Sequence, residues 1–168
     1  MNVSVKLLKN YKIFKNIKDE DISKFLSIIN IKKIKSNINI IEEGSIEDRL
    51  IFLLEGNCSV SMPLTLQSKL LQEDDSVKEV YKASSNDYPV FGEVFLGQGK
   101  QRTANIKTTS HSIIGIVESD DFFNLCEQDT NLGYNIMKNL VDMMSDRFEK
   151  NSKTILKLST AISLLLEK

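Results

Sequence analysis

A chain of 168 residues and 19.1 kDa has the length of one domain with room for an appendage. Hydrophobic residues make up 41%, enough for a packed core, while a net charge of −1 and a pI near 5.9 argue against a general nucleic-acid binder, which is usually basic. Two cysteines far apart, a lone His111 and no apolar run near the roughly 20 residues of a membrane span argue against a disulfide scaffold, a metal centre and a transmembrane helix.

The opening MNVSVKLLKN has neither the apolar core nor the small-residue cleavage site of a secretory signal, so a cytoplasmic chain with two reduced thiols is expected. From Asp19 to Ile29, Ile22, Phe25, Leu26 and Ile29 recur at helical spacing, and Asp19, Glu20 and Asp21 suit the positive end of a helix. Leu7, Leu8 and Phe14 lie ahead of it and are expected to cap the same core. From Asn30 the pattern turns β-branched. Strands are predicted at Ile31–Lys35, Ile38–Glu42, Arg49–Leu54, Cys58–Met62, Val77–Ala83, Thr103–Thr108 and Ser112–Val117, separated by turn residues. Pro63 to Ser76 reads as an insertion between two strands, a candidate for mobility with no functional reading.

Ser119 reads as an N-cap, with Asp120 and Asp121 in the first turn of a short helix. Asp129 or Thr130 opens a long one. Tyr134, Met137, Val141, Met144, Phe148, Asn151, Ile155, Leu158, Ile162 and Leu165 keep a 3,4 spacing along it. That is about four and a half heptads, or roughly 48 Å. A single domain rarely covers so long a helix, so the seam predicts a homodimer, with Asn151 as a polar register position. The class is α+β: an antiparallel β-roll of about eight strands with an N-terminal helix and short and long C-terminal helices. The roll is expected over 1–128 and the dimerisation helix over 129–168, ending in a hinge and second helix as an option.

The stretch that organises the chain is Phe91 to Ile106, FGEVFLGQGKQRTANI. Gly92 lets the backbone come close to a ligand, Glu93 offers one acceptor, and N–H groups at the start of a helical turn favour an anion. Arg102 supplies a planar fork for phosphate. Of 22 basic residues only Arg49, Arg102 and Arg147 are arginine, so an arginine inside this loop stands out. The set fits a small ligand with hydroxyls and one phosphate. No nucleophile–base pair accompanies it, so no enzyme is expected.

These residues resemble a cyclic nucleotide-binding domain of the catabolite-activator type, over roughly Tyr11 to Leu158. IIEEGSIEDRLIFLLEGNCSV is similar to the family's early strand–turn–strand run, with Gly44 and Gly56 at its two glycine positions. FGE at Phe91 to Glu93 and RTA at Arg102 to Ala104 resemble the halves of its phosphate-binding cassette. The resemblance implies that Glu93 accepts the ribose 2′-hydroxyl and that Gly92 allows the turn. Arg102 would pair with the cyclic phosphate beside backbone N–H groups near Val94, Phe95 and Thr103. A threonine at 103 favours guanine in some members, so cAMP and cGMP both stand as ligands. The long helix would cover the base, form the dimer and signal to a protein partner.

Three departures shape the reading. Phe95 stands where the family usually has alanine or glycine. Pro89-Val90 looks like an insertion before FGE, and Asn86 stands where glycine is expected. Overpacking a site costs about 1–3 kcal/mol, and a charge-assisted bond from Arg102 contributes about 1.5–3 kcal/mol, so the terms balance. The alternative to a sensor is therefore a degenerate module for dimerisation or protein interaction, its pocket filled by Phe95. Finally, LSTAISLLLEK resembles a hinge and the opening helix of a helix-turn-helix domain, with no recognition helix after it. DNA binding by this chain alone is not expected.

Overall fold

The structure is a computed structural model, and it describes residues 3–63, 77–93, 96 and 100–166. Two short helices, α1 (Val5–Leu8) and α2 (Asp19–Leu26), flank a 3-10 turn at Lys12–Phe14. Eight strands follow: β1 (Asn30–Ile34), β2 (Asn39–Ile41), β3 (Arg49–Glu55), β4 (Asn57–Pro63), β5 (Val77–Ser84), β6 (Val90–Phe91), β7 (Asn105–Thr108) and β8 (Ser112–Glu118). The chain then enters α3 (Ser119–Gln128) and α4 (Thr130–Leu166). The class is α+β, an antiparallel β-roll with helices at both ends, as the sequence predicts.

The strands form two sheets, ordered β1-β8-β3-β6 and β2-β7-β4-β5, with every pairing antiparallel. β3 explains how they pack. Its residues alternate between two cores: Leu50, Phe52 and Leu54 join the helices, while Ile51 and Leu53 point into the roll. A strand covered on both faces reads as one apolar run, which is why LIFLL shows no polar alternation. The β3–β4 turn needs Gly56, at φ +98°, because a Cβ there would strike Ser112 and the His111 carbonyl.

The helical core gathers Leu8, Tyr11, Phe14, Ile22, Phe25, Phe122, Leu132, Ile136 and Leu140. Phe14 and Phe25 meet edge to face at 4.9 Å, and the Tyr11 hydroxyl donates to the Leu53 carbonyl at 2.7 Å. Burial pushes the Tyr11 phenol above its usual pKa. Cys58 is fully buried in the roll, its thiol pushed up to about 11 by burial, and both cysteines are free.

Several local expectations shift. Glu118, not Ser119, occupies the N-cap of α3, and Ser119 is its first residue. The N-terminal helix stops at Leu26 rather than Ile29. The sixth predicted strand, observed as β7, begins at Asn105 rather than Thr103, because the Arg102 backbone bonds instead to the Gly44–Ser45 turn: Gly44 N donates to Arg102 O at 2.8 Å and Arg102 N to Ser45 O at 2.9 Å. β6 was not foreseen. It is Val90–Phe91, directly after Pro89, and it pairs Val90 with Phe52 and Phe91 with Ile51. Asn86 lies in a 3-10 turn, and it is Tyr88 that takes the positive φ, +50°. The helix read into Leu64–Leu71 lies outside the described residues.

α4 runs unbroken for 37 residues, about 55 Å. Leu132, Gly133, Ile136, Asn139 and Leu140 face the core. Asn139 is buried and donates to two carbonyls, Ile13 and Lys15, each at 2.9 Å. The 3,4 seam lies on other faces. Tyr134, Val141, Phe148, Ile155, Leu158, Ile162 and Leu165 on it are all more than half exposed.

Candidate functional site

Arg102 is the least expected residue to find inside. It is 3% exposed, yet it forms no ion pair among the described residues. Its two terminal nitrogens donate to carbonyls, Gly92 at 2.6 Å and Arg49 at 2.8 Å. Its Nε is buried without a hydrogen-bond partner. Burial lowers its pKa below the usual arginine value; Glu47, Glu93 and Asp48 oppose that fall and Arg49 adds to it. A buried cation satisfied only by neutral carbonyls is costly unless an anion completes its surroundings.

The fold brings these parts together from distant stretches. β3 begins at Arg49, whose carbonyl holds the guanidinium. β6 delivers Gly92 at φ +91°, and the Gly44–Ser45 turn clamps the Arg102 backbone. Gly92 has little room: a Cβ would strike the Arg49 carbonyl and lie 2.8 Å from an Arg102 nitrogen.

Arg102 lines a cleft of about 580 Å³. Gly92, Glu93 and Thr103 share that lining, so four of the six predicted site residues meet at one cleft. Val94 and Phe95 lie outside the described residues, so the filled-pocket idea has no geometry here. One wall is apolar, from Ile41, Val60, Ile106 and Phe91, with the Tyr81 ring beside it. The other wall is α4, which contributes Arg147, Lys150 and Asn151. Asn151 thus borders the cleft as well as the seam.

Arg147 was missed in the sequence. It donates through Nη1 to Glu93 Oε1 and through Nη2 to the Val90 carbonyl at 2.7 Å. The Glu93 side chain is only 16% exposed. Partial desolvation raises the pKa of the Tyr81 phenol, which is still about half exposed; Arg147 opposes the rise and Glu93 adds to it. The scarcity of arginine that singled out Arg102 applies equally to Arg147, and that was the available signal. Among the described residues no group of three or more His, Cys, Asp or Glu side chains is arranged to hold a metal, and no helix is long and apolar enough to cross a membrane.

A β-roll closed by a short helix, a long helix along one cleft, and a glycine–acid turn beside a buried arginine define the cyclic nucleotide-binding fold. Solved structures show the same architecture. A cyclic nucleotide-binding domain from Methylobacillus flagellatus superposes with a TM-score of 0.74 at 17% identity, over 90% of this chain and 80% of that one. The catabolite activator protein of Thermus thermophilus gives 0.73 at 14% identity, over 88% of this chain and 63% of that one. The regulatory domain of Toxoplasma gondii PKA, crystallised with cAMP, gives 0.65 at 17%, over 87% of this chain and 48% of that one. At such identities the likeness is one of fold. No sequence-family profile matches the chain, and no curated protein sequence does.

Proposed function

We propose that this chain is a non-enzymatic, cytoplasmic sensor that binds cAMP or cGMP in the cleft and signals through α4. The observation that carries the reading is the buried Arg102, with an orphan Nε, lining the same cleft as Glu93. Nε is the guanidinium donor that the two carbonyls leave unpaired, and this reading assigns it to a phosphate oxygen. Glu93 accepts a ribose hydroxyl, Thr103 stands at the cleft rim, and Gly92 keeps the turn tight. The apolar wall suits a purine face. The exposed seam of α4 pairs two chains, and a ligand that favours one placement of α4 shifts the pair toward it.

Calorimetric titration with cAMP and cGMP tests this. Saturable binding is expected, and Arg102→Lys weakens it by about ten- to a hundredfold, the loss of about 1.5–3 kcal/mol for a charged hydrogen bond. No heat and no thermal stabilisation at millimolar nucleotide ends the sensor reading.

A second reading rests on the two carbonyls that already hold Arg102. If they satisfy it fully, the chain is a dimerisation or interaction module built on the same fold. Dimers in light scattering with no response to either nucleotide select this reading.

A further inference from the structure

α4 leaves the body of the protein part-way along its length. Every residue from Phe148 to Leu166 is exposed. Among the described residues, no hydrogen bond or ion pair joins 152–166 to another element; those it makes stay within α4. Charge also changes along the helix. Tyr134 to Asn151 carries three acids and three bases, whereas 152–166 carries Lys153 and Lys157 and no acid.

The apolar residues of this tail cover more than a seam. At about 100° per residue, Leu165, Leu158, Ile162, Ile155, Leu166 and Leu156 follow one another round about half of the helix, each more than half exposed. The other half holds both lysines and, beside them, Thr154 and Thr160, whose hydroxyls bond back to carbonyls of the helix itself. A two-stranded coil buries only the narrow 3,4 seam, and it would leave Leu156 and Leu164 in water. Nor does the tail carry the flanking acid–base pairs that choose a partner helix: Ser152, Thr154, Ser159 and Ala161 stand there. A broad apolar face, with cations opposite and no acid, fits a flat surface that is negative outside and apolar beneath.

We propose that residues 152–166 of α4 dock on the surface of an anionic phospholipid membrane. The tail lies in the headgroup layer; among the described residues no helix is long and apolar enough to cross. The leucines and isoleucines enter the boundary of the acyl chains, and Lys153 and Lys157 extend their stems back to the lipid phosphates and carboxylates. The seam from Tyr134 to Phe148 stays free to pair two chains, and such a pair brings two tails to one surface. This docking is independent of what the cleft binds.

The chain has no tryptophan, so one placed in the tail is a clean reporter. In the whole chain, Ile162→Trp puts it on the apolar half and Thr160→Trp on the other. Each protein is sedimented with vesicles of phosphatidylcholine alone and with vesicles that are about one-third phosphatidylserine. Both variants are expected to sediment with the serine-containing vesicles only. Ile162→Trp then shifts its emission to the blue and is quenched by brominated acyl chains, while Thr160→Trp does neither. Lys153→Gln combined with Lys157→Gln keeps the wild-type far-UV spectrum and weakens vesicle binding by about twenty- to thirtyfold, about fivefold for each lysine. Raised salt weakens wild type in the same direction. No sedimentation of wild type with serine-containing vesicles overturns the proposal, and so does equal binding to both kinds. Equal quenching at 160 and 162 overturns the orientation on which it rests. Ile162→Trp emission that is already blue in buffer and unmoved by vesicles shows a second copy on this face, and the proposal fails.

Discussion

Replacing Gly92 with alanine probes the junction on which the cleft is built. Gly92 sits at φ +91°, a region that strains residues with a Cβ by about 1–3 kcal/mol. The added methyl also meets three atoms: the Arg49 carbonyl oxygen, and the Arg102 nitrogens at 2.8 and 3.1 Å. The carbonyl belongs to the first residue of β3 and is fixed by the sheet. The guanidinium is pinned by bonds to that same carbonyl and to Gly92 itself. Neither neighbour yields easily, so overpacking adds about 1–3 kcal/mol. The sum is centred near 4 kcal/mol, against a total stability of about 5–15 kcal/mol for a domain. With a urea slope of about 2 kcal/mol/M, the unfolding midpoint falls by about 2 M. Gly44→Ala is the control. Gly44 has φ +78° but nothing within 4 Å of an added Cβ, so it pays strain alone. A Gly92→Ala shift no larger than that of Gly44→Ala shows that the Gly92–Arg102–Arg49 junction gives way, and it refutes the close packing argued for it.

Three further outcomes are expected. Asn139→Ala leaves the Ile13 and Lys15 carbonyls without their shared donor, at about 1–3 kcal/mol each; a urea-measured loss below about 1 kcal/mol contradicts the role assigned to that side chain. Phe148→Glu, at the most exposed aromatic of the seam (75%), converts dimers to monomers in light scattering and leaves the roll's unfolding midpoint unchanged; unaltered mass rules out this seam. Asp129 accepts from Leu132 N at 3.0 Å and pairs with Lys24 at 2.7 Å, which together hold its pKa below the usual carboxylate value. A depressed carboxylate contributes stability above its unfolded pKa, near 3.9, and loses it as pH falls through the folded value. Asp129→Asn should therefore flatten the acid limb of melting temperature against pH, and an unchanged limb would sink the assignment.

The elements most legible in the sequence were those whose signal is local. The β-branched runs placed seven strands within about two residues, since inward and outward faces alternate along any paired strand. The eighth, β6, is two residues long and follows a proline. It exists because Val90 and Phe91 find the free edge of β3, and no window of sequence contains that edge. Ser119 carried the right chemistry for a cap, but Glu118, still extended at the end of β8, takes the cap position, and the helix begins one residue earlier, at Ser119.

At the site the division follows the same line. Glu93, Arg102, Gly92 and Thr103 were legible because one loop carries residue types suited to hydroxyls and phosphate. Their one-dimensional spacing says nothing of burial. Only packing drew the Arg102 guanidinium between two backbone carbonyls and left its Nε unpaired. Arg147 reaches Glu93 across 54 positions of chain, a distance over which residue patterns hold no geometric information. Composition and periodicity thus determined the roll, the long helix and its apolar seam, because these depend on neighbours a few residues apart. Which face of α4 meets the cleft, and which acid its arginine takes, was decided by the tertiary structure, because those contacts form only after the sheets and helices have closed on one another.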